Sequence, residues 1–311
     1  MRTEVSPSDL AASVMAVPPL ARTGDGAFDD AANGALIRHL EGGGVTTLLY
    51  GGNALAHHWP MSAYADWLDR LEALCAADTW LLPSVGSDGG KLVDQAAILR
   101  DRQFPVALLL PMIPPRTEEG SCDALRRFSA ESGVQLLVYI KTDGYIAPAS
   151  LEALASEGAV FGVKYAVPRS DGMRDTYLDD IVSAIGADRV ISGFGEPPAI
   201  AHMRDYGLAA YTAGCVCIAP SLSMSMLAAL KAGDHAKAEE YLAPFLPLEA
   251  LRGRINEIRV LHEAIGLSGL AEMGPILAPS SALSDDNRYE IAQAAKDLLA
   301  AERRHGAVQA A

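Results

Sequence analysis

Eight short apolar runs of strand length punctuate the first two-thirds of this sequence, at residues 13–17, 45–50, 80–85, 106–110, 134–140, 159–164, 190–193 and 208–213. Between them lie amphipathic stretches of helix length, among them 61–76, 91–102, 122–132 and 175–185. Strands separated by helices pair in parallel through right-handed crossovers. Eight such units within residues 1–233 predict an α/β fold, a (β/α)8 TIM barrel, rather than an open doubly wound sheet. No G-x-G-x-x-G follows the first run, which weakens a dinucleotide-binding reading further.

After the eighth expected helix, residues 221–232, the pattern changes, and only helical signals continue to residue 304. Leu251, Ile255, Ile258, Leu261 and Ile265 form one apolar stripe at helical spacing, with Arg252 and Arg259 off it. A loop rich in Gly, Pro and Ser, residues 266–284, precedes a last helix near 287–304. Residues 234–311 are therefore expected to form a helical appendage with a structural role.

A chain of 311 residues that is half hydrophobic can bury a large core. Its formal net charge of −14 and pI near 4.9 argue against sequence-independent nucleic-acid binding. An anionic substrate would need local cations and backbone N–H groups to hold it against that field. Four cysteines do not make a disulfide scaffold, and Cys215 and Cys217 match no common zinc spacing. The first ten residues lack a signal-peptide pattern, and no stretch approaches the roughly 20 apolar residues of a membrane span. The expectation is a soluble, cytoplasmic protein.

The residue richest in chemical implication is Lys164, closing the run Ala-Val-Phe-Gly-Val-Lys. Barrel active sites lie at the C-terminal ends of the strands, which is where Lys164 falls. An amine held among apolar groups loses hydration, its pKa drops, and the neutral nucleophile becomes accessible. Strict alternation puts Gly162 on the same strand face, where its missing side chain would leave room beside the amine. The alternative is a strand-end lysine reaching out to water. Tyr139 closes the preceding run, so on neighbouring strands about 4.8 Å apart a phenol and an amine could share one small substrate.

These residues resemble the dihydrodipicolinate synthase/N-acetylneuraminate lyase family of class I, Schiff-base pyruvate aldolases. Gly-Gly-Val-Thr-Thr-Leu-Leu-Tyr-Gly-Gly at 43–52 looks like the strand leading to the family's glycine-rich loop. Leu-Leu-Val-Tyr ending at Tyr139 and Phe-Gly-Val-Lys ending at Lys164 resemble its catalytic tyrosine and Schiff-base lysine strands. Ser-Gly-Phe-Gly-Glu ending at Glu196 looks like its seventh-strand turn, and the helical tail is similar too. The resemblance implies a lysine that condenses with a 2-oxo acid, a tyrosine that moves protons, no metal or organic cofactor, and a homotetramer.

Departures from the family pattern narrow the expected chemistry. Where relatives carry Thr-Thr to hold the pyruvate carboxylate, this chain has Gly51, Gly52, Asn53 and Ala54; backbone amides and the Asn53 side chain are the candidates there. Met112 and Ile113 stand where the synthase branch places a relay tyrosine, and neither transfers a proton. The arginine that branch carries after its strand-five tyrosine is also missing, so lysine-pathway synthase activity is not expected. Lys141 and Tyr145 are candidates for the distal end of a hydroxylated or acidic substrate, and Glu196 matches a position that binds sugar hydroxyls in the sialic acid lyase branch. One of His57 and His58 could face the pocket; Arg116 and Arg169 are possible carboxylate clamps. The reading is a lyase acting on a 2-oxo acid, such as a 2-keto-3-deoxy sugar acid. A non-catalytic 2-oxo-acid-binding barrel and a metal-dependent class II aldolase stand as competitors, the latter lacking histidine spacing for a metal.

Overall fold

In the computed structural model, which describes residues 1–169 and 174–309, the apolar runs become the staves of a single barrel. The strands are β1 (Met15–Ala16), β2 (Thr47–Leu49), β3 (Trp80–Leu82), β4 (Ser84–Val85), β5 (Val106–Leu109), β6 (Gln135–Ile140), β7 (Val160–Tyr165), β8 (Val190–Ser192) and β9 (Ala210–Ala213). They follow the order β3-β2-β1-β9-β8-β7-β6-β5-β4, every pair parallel. The run at 80–85 is split because Pro83 has no amide hydrogen to give a ladder. Both halves still belong to one stave. Tyr50 N donates to Leu82 O at 3.1 Å on one side, and Leu108 N to Pro83 O at 2.8 Å on the other. That stave closes the ring, so the fold is the (β/α)8 barrel expected.

Helices α1 (Asp30–Gly42), α2 (Met61–Leu74), α3 (Gly89–Leu99), α4 (Glu118–Ser132), α5 (Pro148–Ser156), α6 (Thr176–Ile185), α7 (Ala199–Tyr206) and α8 (Pro220–Lys231) surround the barrel. Side chains of Asp29, Asp88, Thr117 and Asp175 accept the free amides of Ala32, Lys91, Gly120 and Leu178 at four of their starts. Each such cap stabilises its helix by roughly 1 kcal/mol.

The barrel interior departs from strict alternation at one place. Register slips between Leu136 and Leu137, which face Val160 and Gly162, so Phe161 is a bulged extra residue. Its ring lies 5.6 Å from that of Trp80, on a stave several positions away around the ring. Gly162 does not leave room for a substrate. A Cβ there would stand 2.4 Å from the backbone oxygen of Arg189 and 3.5 Å from Leu10, so the glycine admits the start of β8 instead.

The tail comprises α9 (His235–Leu242), α10 (Leu246–Arg254), α11 (Glu257–Ser268) and α12 (Asp285–Gln309). The apolar stripe read as one helix is two, because Asn256 turns the chain and accepts the amides of Ile258 and Arg259 to start α11. Helix α12 packs on α8, α10 and α11. Its Glu302 accepts from Ser221 N at 2.9 Å and Leu222 N at 3.0 Å, a carboxylate at the N-terminal end of α8, where the helix dipole favours it. Among the described residues no helix is long and apolar enough to cross a membrane, and all four cysteines are free thiols.

Candidate active site

A cavity of about 330 Å³ opens at the C-terminal ends of the strands, as barrel geometry requires. Val17 after β1, Gly52 and Asn53 after β2, Tyr139 on β6, Lys164 on β7, Gly193 to Gly195 after β8 and Thr212 to Gly214 at the end of β9 line it. The tail closes it with Glu249, Arg252 and Gly253 from α10 and Glu257 and Ile258 from α11.

Tyr139 and Lys164 are direct register partners on adjacent strands, so their side chains share a face. Lys164 Nζ lies 3.9 Å from the centroid of the Tyr139 ring, over its face. Lys164 is only 5% exposed, yet its amine borders the cavity and makes no hydrogen bond or ion pair among the described residues. Burial pulls its pKa down to about 7; Lys141 and Arg252 push the same way, while Glu257 opposes them. A substantial neutral fraction is therefore present at physiological pH. Burial, reinforced by Glu257, raises the Tyr139 phenol above its ordinary value, so it stays protonated and begins as a donor.

On the opposite side of the ring, the loop after β2 offers backbone. The amides of Gly52, Asn53 and Ala54 have no acceptor among the described residues. Asn53 spends its Nδ2 on Val17 O at 2.7 Å, which fixes the loop and leaves the amide hydrogens to receive an anion. Gly51 lies outside the cavity lining, packed against Leu108 and Ser84.

The other candidates separate. Lys141 lines the cavity and stands 3.7 Å from Glu257. Tyr145 does not line it: its hydroxyl accepts the Met112 amide at 3.0 Å and its ring stacks under Arg116 at 4.2 Å. That contact occupies Arg116. Arg169 is likewise held, by Asp143, Asp175 and the Tyr165 hydroxyl. His57 lines the cavity while His58 faces solvent; burial first, then His58, Lys141 and Lys91, lowers the His57 pKa to about 4, so it is a neutral imidazole.

Glu196 is fully buried behind the lining, with Oε1 accepting from Ser223 Oγ at 3.4 Å and Oε2 unpartnered among the described residues. Burial, and next the neighbouring Glu249, raise its pKa well above the ordinary carboxylate value. Donor atoms of Glu196, Glu249 and Cys215 fall within 4.8 Å of one another. The cation beside that group is already a guanidinium, since Arg252 Nη1 lies 2.5 Å from Glu249 Oε1.

Arg252 and Glu249 are the residues that the sequence reading missed. The signal was an i,i+3 Glu–Arg pair on a helix expected to be structural. Nothing in its spacing says that this pair faces the barrel mouth.

The sequence profile of the Dihydrodipicolinate synthetase family matches residues 107–298, well over half of the chain. The chain belongs to this family. Dihydrodipicolinate synthase from Agrobacterium tumefaciens superposes with a TM-score of 0.82 at 18% identity, covering 94% of this chain and 100% of that one. The synthase from Oceanobacillus iheyensis gives 0.81 at 19%, covering 93% and 97%. At such identities the likeness is one of fold. Among curated proteins, the probable 5-dehydro-4-deoxyglucarate dehydratase 1 of Streptomyces avermitilis is 26% identical over 196 residues, 59% of each chain. The probable 5-dehydro-4-deoxyglucarate dehydratase of Streptomyces griseus is 28% identical over 205 residues, 61% of this chain and 62% of the relative. This chain thus spans about three-fifths of the length of the curated relatives it matches.

Proposed function

We propose that the protein is a cytoplasmic class I lyase that forms a Schiff base between Lys164 and a 2-oxo acid, and that its substrate is a 2-keto-3-deoxy sugar acid. The carrying observation is the buried Lys164 amine, without a partner among the described residues, over the ring of Tyr139. The curated relatives, named as 5-dehydro-4-deoxyglucarate dehydratases, support dehydration over carbon–carbon cleavage.

The neutral amine attacks C2, and the carbinolamine oxygen leaves as water after protonation, giving a protonated imine. In dehydration a C3 proton is removed and its bond pair forms an enamine. That pair then expels the C4 hydroxyl, which leaves as water on taking a proton. In aldol cleavage the C4 hydroxyl loses its proton, the C3–C4 bond breaks, and its pair moves toward the imine nitrogen. Hydrolysis of the imine returns the amine in either case. Tyr139 is the group at hand to give and take these protons, and the amides of Gly52 and Asn53, which line the cavity, receive the C1 carboxylate. No step requires a metal.

Borohydride reduction in the presence of pyruvate tests the reading. A stable adduct on Lys164, found by peptide mass spectrometry and absent in Lys164→Met, is the expected result; an unmodified lysine overturns it. Product analysis with 5-dehydro-4-deoxyglucarate distinguishes water loss from pyruvate release. A homo-oligomer, dimer or tetramer, is expected from the family resemblance, and light scattering reads it directly.

A further inference from the structure

We propose that Arg252, delivered by the tail helix α10, binds a second carboxylate at the far end of the substrate and makes the site selective for two-ended acids. The inference rests on the Schiff-base reading above for the position of the near end.

Two of the three guanidinium nitrogens are committed. Nε donates to Glu257 O at 3.1 Å and Nη1 to Glu249 Oε1 at 2.5 Å. Nη2 has no partner among the described residues and is not sealed off, and Arg252 lines the cavity. The residue is only 8% exposed, so those N–H groups face a site shielded from bulk water. The backbone beneath is shaped for it. A Cβ on Gly214 would lie 2.7 Å from Nη2 and 2.9 Å from Cζ, so only glycine lets the guanidinium rest there.

This position differs from that of the near carboxylate. Carbon C2 is fixed by its bond to Lys164, on β7, and the amides of Gly52 to Ala54, without acceptors among the described residues, lie after β2, four staves round the ring. Gly214 follows β9, two staves from β2 and about 10 Å along the ring from it. We assign one carboxylate to each anion receptor. The C1 carboxylate takes the amides, which leaves Nη2 for a group several carbons further along the chain. Glu249 neutralises part of the arginine charge and repels an incoming anion, but it occupies a different edge of the guanidinium. Burial and Glu249 both raise the Glu196 pKa, which disfavours a second negative charge beside the clamp. An arginine presents its remaining N–H pair in a plane, which suits a carboxylate better than a hydroxyl.

Calorimetry with 2-oxoadipate and 2-oxohexanoate, equal in length and differing in the far carboxylate, tests the clamp, and borohydride trapping run in parallel tests Lys164. The wild-type protein is expected to bind the diacid at least tenfold more tightly. Arg252→Gln should bring the two affinities within threefold of each other, weakening the diacid far more than the monoacid. Gly214→Ala, which displaces the guanidinium but keeps its charge, should reduce the preference without abolishing folding. Equal wild-type affinities, or a preference that survives both substitutions, would overturn the clamp. Trapping that fails while the preference persists would sink the Schiff-base reading and leave the clamp standing.

Discussion

Lys141 Nζ and Glu257 Oε1 stand 3.7 Å apart, an ion pair that joins the residue just past β6 to the first turn of the tail helix α11. Both groups are largely exposed, so the pair adds little to stability. Its importance is electrostatic, because the two act on the Lys164 amine with opposite signs.

The rate should therefore rise with pH as Lys164 loses its proton, with the acidic limb of kcat/KM centred near 7. Lys141→Met removes a cation that disfavours the ammonium and should move that limb to higher pH. Glu257→Gln removes the opposing anion and should move it lower. A pH–rate profile of the three proteins is the measurement; limbs that coincide would show that neither charge is felt at the amine.

The same amine lowers stability. Its folded pKa, about 7, lies below the unfolded value near 10.4, so the unfolded chain binds more protons across that interval. Stability should rise with pH between those values. Lys164→Met removes the cost of a buried ammonium. At pH 6 it should be more stable than the wild type by an amount on the order of a few kcal/mol, a gap that closes by pH 10.5. Paired urea titrations at the two pH values read the difference.

Tyr139→Phe keeps the ring beneath the amine and removes only the hydroxyl. Pyruvate should still be trapped on Lys164 after long incubation, while kcat falls by about 10²–10⁴-fold. Turnover within a factor of two of wild type would assign proton transfer to another group, with the neutral His57 next in line.

Gly162→Ala sets a Cβ against the backbone oxygen of Arg189, a contact no rotamer change relieves. The substitution should cost about 1–3 kcal/mol by overpacking, measured by urea unfolding, with the trapping stoichiometry on Lys164 unchanged.

The barrel was legible because strand and helix periods alternate in the sequence, and parallel pairing then obliges Tyr139 and Lys164 to share a face. What stayed hidden depends on contacts between distant segments. Gly162 keeps its two-residue spacing from Lys164 in unbroken register, but the space it leaves is filled by the backbone of Arg189 and by Leu10, which no local pattern shows. Tyr145 turns to the Met112 amide, a partner 33 residues away that no local pattern names. Arg252 and Glu249 have no catalytic motif around them; they reach the cavity only because α10 docks over the barrel.

That docking makes the barrel mouth a joint product of two parts of the chain. The staves supply the amine and the phenol, while Glu249, Arg252 and Glu257 come from helices beyond the barrel. The tail can therefore change the charges that face a ligand without disturbing the strands that carry Lys164 and Tyr139.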